Sequence, residues 1–218
     1  MLVGGPHRWL APDVEAATLE AATADLLDLW DATGARRSHL VGYSAGGRLA
    51  LHLATRHPER LRTLTVISAH AGFEGPARAA RQAADEALAA RIEVEGIDWF
   101  ADHWGQLPMF ASLRRRRPEL RGPLDADRRS HDPRRLAAAL RGMGGAAAEP
   151  FWDRLPSVGV PALVVAGAED TPYVEHAGRL ARLLACARAV IVPGAGHAVH
   201  LENPPAVASL LAAHLSSR

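Results

Sequence analysis

Short apolar runs and helix-spaced apolar stripes alternate along this chain. Leu61–Ser68 begins by alternating and finishes apolar, and Pro161–Gly167 and Arg188–Pro193 are mostly apolar. His39–Val41 is a shorter run of the same kind. Runs of this length read as strands buried on both faces. Between them, Leu19, Ala22, Leu26, Leu27 and Trp30 recur at helical spacing within Thr18–Trp30, with Gly34 as a stop signal. Further helices are predicted from Ser44 to about Arg56, over Val174–Leu184 and over Pro205–Leu215, the last opened by proline. Trp9–Pro12 predicts a brief strand and its exit loop. Strands alternating with helices predict a mostly parallel sheet with both faces covered, an α/β architecture.

The pattern changes from Gly72 to about Trp152. Ala- and Arg-rich helical segments dominate there, broken at Gly96, Pro108, Pro118, Pro123 and the Gly142–Gly145 cluster, with no strand alternation. Residues 72–152 are therefore expected to form a helical cap inserted into a core made of 1–71 and 153–218.

With 48% hydrophobic residues in 218, the chain has ample material for one core. A net charge of +1 gives no global field for nucleic acid, and no nucleic-acid partner is expected. The basic residues are all arginine, a side chain suited to planar, two-point binding of carboxylates. The run Arg114–Arg117 reads as a solvated charge cluster. Cys186 stands alone, which excludes an internal disulfide and suits a reducing cytosol. No apolar run is long enough to span a bilayer, and a cytoplasmic location is expected.

The candidate chemistry centres on Gly42-Tyr43-Ser44-Ala45-Gly46, a G-x-S-x-G sequence between a strand-like run and a helix-like run. That context is a nucleophile elbow: a sharp turn presenting a serine, with flanking positions that tolerate little side chain. The Ala45 N–H, at the helix N-terminus, would face developing negative charge and serve an oxyanion hole. Asp170 follows the strand ending near Ala166, and His197 follows the strand ending near Val192. In such sheets reactive groups collect beyond the carboxyl ends of strands. Ser44, Asp170 and His197 are thus the expected catalytic set, with His197 accepting the serine proton and Asp170 fixing the imidazole. Glu169 is the rival acid, read as a solvated neighbour.

These residues, with the segments G-Y-S-A-G-G-R-L-A-L-H-L-A (42–54), L-P-M-F-A-S-L (107–113), L-R-G-M-G (140–144), F-W-D-R-L-P (151–156) and G-A-G-H-A-V-H-L-E-N-P (194–204), resemble the α/β-hydrolase superfamily. Within it they closely resemble one branch, the 2-succinyl-6-hydroxy-2,4-cyclohexadiene-1-carboxylate synthases of menaquinone biosynthesis. The resemblance implies an α/β-hydrolase fold and a lyase that eliminates pyruvate from a small polycarboxylate, with no metal and no cofactor. It implies substrate contacts from Arg48, Arg81 and Arg128, and aromatic pocket positions at Tyr43, Trp104 and Trp152. A serine esterase or C–C hydrolase using Ser44 as nucleophile, and a catalytically silent homologue, remain as alternatives.

The start of the chain departs from that pattern. The family carries a strand ending in His-Gly ahead of the position of Trp9, whose loop gives a second oxyanion N–H, and a Pro-Gly-His-Gly loop after Ala-Pro-Asp. Here Asp13 runs directly to Val14, and Leu2-Val3-Gly4-Gly5 reads as too short and too close to be the missing strand. The expectation is an N-terminally abbreviated fold whose elbow strand has one open edge, prone to self-association through that edge.

Overall fold

The computed structural model describes Leu2–Val3 and residues 17–216. The expected strand at Trp9–Pro12 lies outside the described residues. A five-stranded sheet runs in the order β1 (Leu2–Val3), β2 (Ser38–Tyr43), β3 (Leu61–Ile67), β4 (Ala162–Gly167), β5 (Ala187–Val192). Every neighbouring pair is parallel. Helices α1 (Leu19–Ala32), α2 (Ala45–Arg56), α7 (Thr171–Leu183), α8 (Val199–Glu202) and α9 (Pro204–Ser216) flank it, and α3 (Gly75–Gly105), α4 (Ala111–Arg116), α5 (Arg121–Arg129) and α6 (Pro133–Met143) fill the chain between β3 and β4.

Side chains on a strand point alternately to the two faces, so a strand covered on both sides must be apolar throughout. β4 follows this throughout, and β3 does so apart from exposed Arg62 and buried Thr63 and Thr65. Leu40, Leu64, Val66, Ala162 and Val164 enter one buried cluster with Leu26 of α1, Leu53 of α2 and Leu180 of α7. Their neighbours Val41, Ile67, Leu163 and Val165 enter another with Val192, Val199 and Val207. At the edge, β5 buries only its last residue, Val192.

The reading of the elbow strand's open edge needs correction. Leu2 pairs with Val41 and Val3 with Gly42, in parallel, so β1 covers the two residues that lead into the elbow. Two residues are too few to show strand periodicity, but a parallel ladder needs only backbone groups.

Between β3 and β4 the expected breakers act unequally. Gly96 bends α3, with φ of 81°, and Pro108 and Pro118 open short 3-10 turns. Pro123 does not break a helix. It occupies the first turn of α5, where the missing N–H would have had no intrahelical partner. Asp132 caps α6 by accepting from the Arg135 N–H at 2.9 Å. Ile92, Phe100 and Leu136 form the small core joining α3 to α6. Exposed ion pairs run over it, with Arg141 clasping Glu86 and Glu93 and Arg129 clasping Asp98 and Asp102; such pairs contribute little individually.

The approach of α2 to the sheet is set by Gly42 and Gly47. A Cβ on Gly42 would overlap the Gly46 carbonyl, and one on Gly47 would lie 2.5 Å from the Ala69 Cβ. Gly47→Ala is therefore expected to destabilise the protein by about 1–3 kcal/mol, the usual range for one methyl forced into a packed interior. Denaturant titration against the parent checks this; an unchanged midpoint would show that α2 can move away freely.

Candidate active site

Ser44 directly follows β2 and precedes α2, with φ 52° and ψ −117°. Left-handed backbone at a non-glycine residue persists only where its surroundings fix it. Here the Ser44 N–H donates to the Ile67 carbonyl at 2.9 Å, and Gly42 lets α2 close behind it. Ala45 opens α2, so its N–H is among those with no partner within the helix.

Asp170 and His197 come from the loops after β4 and β5 and meet Ser44. His197 Nδ1 lies 2.7 Å from Asp170 Oδ2, and Nε2 lies 3.1 Å from Ser44 Oγ. An ionised carboxylate only accepts, so Nδ1 carries the proton and Nε2 is free to accept from the serine. Both side chains are buried. The His197 loop is pinned by two residues that motif reading did not single out. Ser68, itself at φ 48°, donates to the His197 carbonyl at 2.8 Å. Glu202 accepts from the N–H groups of Gly196 and Ala198, on either side of the histidine, at 2.9 and 3.2 Å. Tyr173 packs against the imidazole with ring centres 4.5 Å apart, and Phe110 meets it edge-on at 5.9 Å.

Glu169 points away from this group. It accepts from Arg115 at 2.6 Å and from Arg116, and the Arg116 hydrogen bond holds its carboxyl below the usual range. Arg115 and Arg116 are exposed, as expected of a solvated run, but all four arginines of Arg114–Arg117 also have partners. Arg114 donates to the Gly105 and Leu107 carbonyls and Arg117, just beyond α4, to the Leu201 carbonyl, so the run ties this helix and its end to other segments.

Ser44 opens into a cavity of about 390 Å³. Tyr43, Ala45, Arg48, Arg81 and Trp104, expected at the site, line it, as do Leu107, Met109, Leu140 and Met143 from the segments between β3 and β4. Arg48, one turn along α2 from Ser44, is buried and donates to the Met143 carbonyl; its Nε has no partner among the described residues. Burial lowers its pKa to about 10, so it stays cationic at neutral pH. Arg81 pairs with buried Asp85 at 2.8 Å, and Arg81 Nε and Asp85 Oδ2 are also unpartnered. Burial, with Tyr173 and Asp170 nearby, pushes the Tyr43 hydroxyl well above its ordinary pKa and keeps it protonated.

Two expected contacts lie elsewhere. Arg128 pairs with Asp125 at 2.6 Å and lines a separate cavity of about 290 Å³ with Arg114, Arg117 and Arg121; Phe110 walls both cavities. Trp152 is buried behind the site. Its indole N–H donates to the Gly72 carbonyl at 2.9 Å, and its ring lies under Arg179, 3.9 Å away. A buried indole needs an acceptor, and this one satisfies Trp152 without a ligand. His70 and Tyr173, which no motif marked, line the Ser44 cavity instead. Among the described residues, no group of three or more His, Cys, Asp or Glu is placed to hold a metal ion, and no helix is long and apolar enough to cross a membrane.

Residues 6–204 match the alpha/beta hydrolase fold family. A 2-succinyl-6-hydroxy-2,4-cyclohexadiene-1-carboxylate synthase of Enterobacter sp. (strain 638) is 36% identical over 180 residues, 82% of this chain and 67% of the relative. The structure of MenH from S. aureus superposes with a TM-score of 0.86 and 28% identity, covering 91% of this chain and 75% of that one. A thermophilic, malate-bound esterase from Thermogutta terrifontis superposes with a TM-score of 0.83 and 27% identity, covering 96% and 77%. By sequence and by fold the chain belongs to the α/β-hydrolase family, as an enzyme of the lyase or hydrolase kind similar to the 2-succinyl-6-hydroxy-2,4-cyclohexadiene-1-carboxylate synthases.

Proposed function

We propose that this enzyme eliminates pyruvate from a succinyl-cyclohexene polycarboxylate, giving 2-succinyl-6-hydroxy-2,4-cyclohexadiene-1-carboxylate for menaquinone synthesis in the cytoplasm. The observation that carries this reading is the pair of arginines, Arg48 and Arg81, in the Ser44 cavity, each with a buried, unpartnered Nε. Guanidinium forks recognise carboxylates, and a cavity for neutral esters would have no use for two of them. Residues 72–152 act as a cap over a core of 1–71 and 153–218, and the cavity lies between the two.

In the reaction, His197 takes the Ser44 hydroxyl proton, and Asp170 stabilises the imidazolium that results. Ser44 Oγ then removes a ring proton acidified by the adjacent succinyl carbonyl. The electron pair of that C–H bond forms the new ring double bond as the ring carbon–oxygen bond to the enolpyruvyl group breaks. Pyruvate leaves as its enolate, which takes up at carbon the proton that His197 gives up, so Ser44 and His197 return to their starting states. Proton and electron counts close without a metal or cofactor. The Ala45 N–H stabilises negative charge as it develops. A second reading, serine esterase chemistry, draws on the likeness to the Thermogutta esterase and uses the same Ser44–His197 contact for acyl transfer. A burst of product from an activated acetate ester, with an acyl group on Ser44 detected by mass spectrometry, would favour it.

In a pyruvate-release assay, Ser44→Ala, Asp170→Asn and His197→Ala are each expected to remove most of the activity. Groups that act as a unit do not lose activity multiplicatively, so double variants should be scarcely worse than singles. Independent, multiplying losses would overturn the assignment.

Arg48→Ala and Arg81→Ala are expected to slow turnover of the polycarboxylate about a hundredfold each, since each removes charge-assisted hydrogen bonds worth about 1.5–3 kcal/mol. Hydrolysis of a small neutral ester should barely change. Equal losses on both substrates would make these arginines structural.

A further inference from the structure

His70 lies in the Ser44 cavity, and neither the arginines' task nor the Ser44–His197–Asp170 chemistry uses it. It stands three residues beyond the end of β3, with Ala69 and Ala71 beside it, and is buried. Its Nδ1 accepts the Gly72 N–H at 3.0 Å. A backbone N–H can only donate, so Nδ1 carries no proton, and the neutral ring must carry its proton on Nε2. Burial, with Arg48, His176 and Arg81 close by, pushes the pKa down to about 2, so the ring stays neutral across the working pH range. Nε2–H has no acceptor among the described residues, and the ring lines the Ser44 cavity, where a ligand can reach it.

A ligand in this cavity therefore meets donors of two kinds. The guanidinium groups of Arg48 and Arg81 suit carboxylates. A neutral imidazole N–H suits an uncharged acceptor: it can polarise a carbonyl oxygen without giving up its proton. We propose that His70 Nε2–H is a specificity-determining hydrogen-bond donor to an uncharged ketone oxygen of the substrate, while Arg48 and Arg81 hold its carboxylates. The ligand class is thus a keto acid with its ketone set apart from the carboxylate, and in the reading above that ketone is the succinyl carbonyl. The inference deepens that reading and rests on it for the identity of the ketone, but the donor arrangement can be tested without it.

The probes are 4-oxo-4-phenylbutanoate, which has a carboxylate and a separate ketone, and 4-phenylbutanoate, which lacks only the ketone oxygen. Calorimetric titration of the full chain should show the keto acid binding about tenfold more tightly, because without it a buried donor is left unpaired. His70→Phe should abolish that preference and leave 4-phenylbutanoate affinity unchanged, which also checks that the variant is folded. His70→Gln, whose amide nitrogen reaches the position of Nε2, should restore part of it. Equal binding of the two acids by the unmodified protein overturns the proposal without need of a variant, as does a His70→Phe protein that keeps the preference. Pyruvate release measured alongside separates the two readings. Turnover without a ketone preference sinks only the role of His70, whereas a His70-dependent preference without pyruvate release leaves that role standing and sinks the lyase assignment.

Discussion

The close passage of α2 over the end of β2 is the constraint on which the rest of the site depends. Two glycines make it possible: Gly42 leaves room for the Gly46 carbonyl, and Gly47 sits against Ala69. With the helix that close, the connecting residue must turn through a left-handed conformation, and Ser44 does so. Three consequences follow from this one backbone feature. The serine hydroxyl stands above the sheet, within 3.1 Å of His197 Nε2. The unpaired N–H groups of the α2 N-terminus face the same space. Arg48, four residues on, lies one turn along the same helix face and delivers its guanidinium to the cavity. The Ser44 hydroxyl, the open N–H groups of the helix and the Arg48 guanidinium are thus positioned by one helix held at one height.

Placing charge in such a cavity costs solvation, and the surroundings of Arg48 show how the fold offsets it. The guanidinium is buried, which lowers its pKa, and Arg81 nearby adds repulsion. Against this stand the Met143 carbonyl, which accepts from Arg48, and the Asp85 carboxylate, which favours the charged form. Nε of both arginines and Oδ2 of Asp85 remain without partners among the described residues. Buried polar atoms left in that condition are expensive, and their concentration in one cavity is intelligible if a polyanionic ligand completes the network. His70 adds a neutral donor, kept neutral first by burial and then by the nearby Arg48 and Arg81.

What the sequence disclosed, and what it hid, divides by the distance over which the signal acts. Ser44, Asp170 and His197 were legible because each follows an apolar run, and their order along the chain restricts how they can meet. Arg48 was legible because its relation to Ser44 is a helical turn. The inner strands were legible because both faces are buried, β5 because it is mostly apolar though only Val192 is buried, and only the strand ends moved by a residue or two. Leu2–Val3 was not, since two residues carry no periodicity and pair through backbone groups alone. Arg128 and Trp152 were misplaced for a different reason. Asp125 pairs with Arg128 and the Gly72 carbonyl accepts from Trp152, and nothing in local spacing says which way a helix presents an arginine or which carbonyl an indole finds. His70 carries no motif; its one clue was its place beyond the carboxyl end of a buried strand, the location that had already marked Asp170 and His197.

The helices between β3 and β4 do more than wall the cavity. Arg115 and Arg116 of α4 hold Glu169, the residue next to Asp170. Ser112 of α4 sits so close to Gly196 that a Cβ there would overlap its hydroxyl, and Phe110 rests on the imidazole of His197. The loops that carry the acid and the histidine are thus clamped by the same segment that supplies Leu107, Met109 and Phe110 to the cavity wall. A movement of α4 would alter the shape of the cavity and the alignment of His197 together, because both rest on the same few side chains. Substrate fit and readiness of the serine are therefore mechanically linked in this fold, and the exposed Arg–Glu pairs matter less for their small energies than for the register they impose between α4 and the loop that carries Asp170.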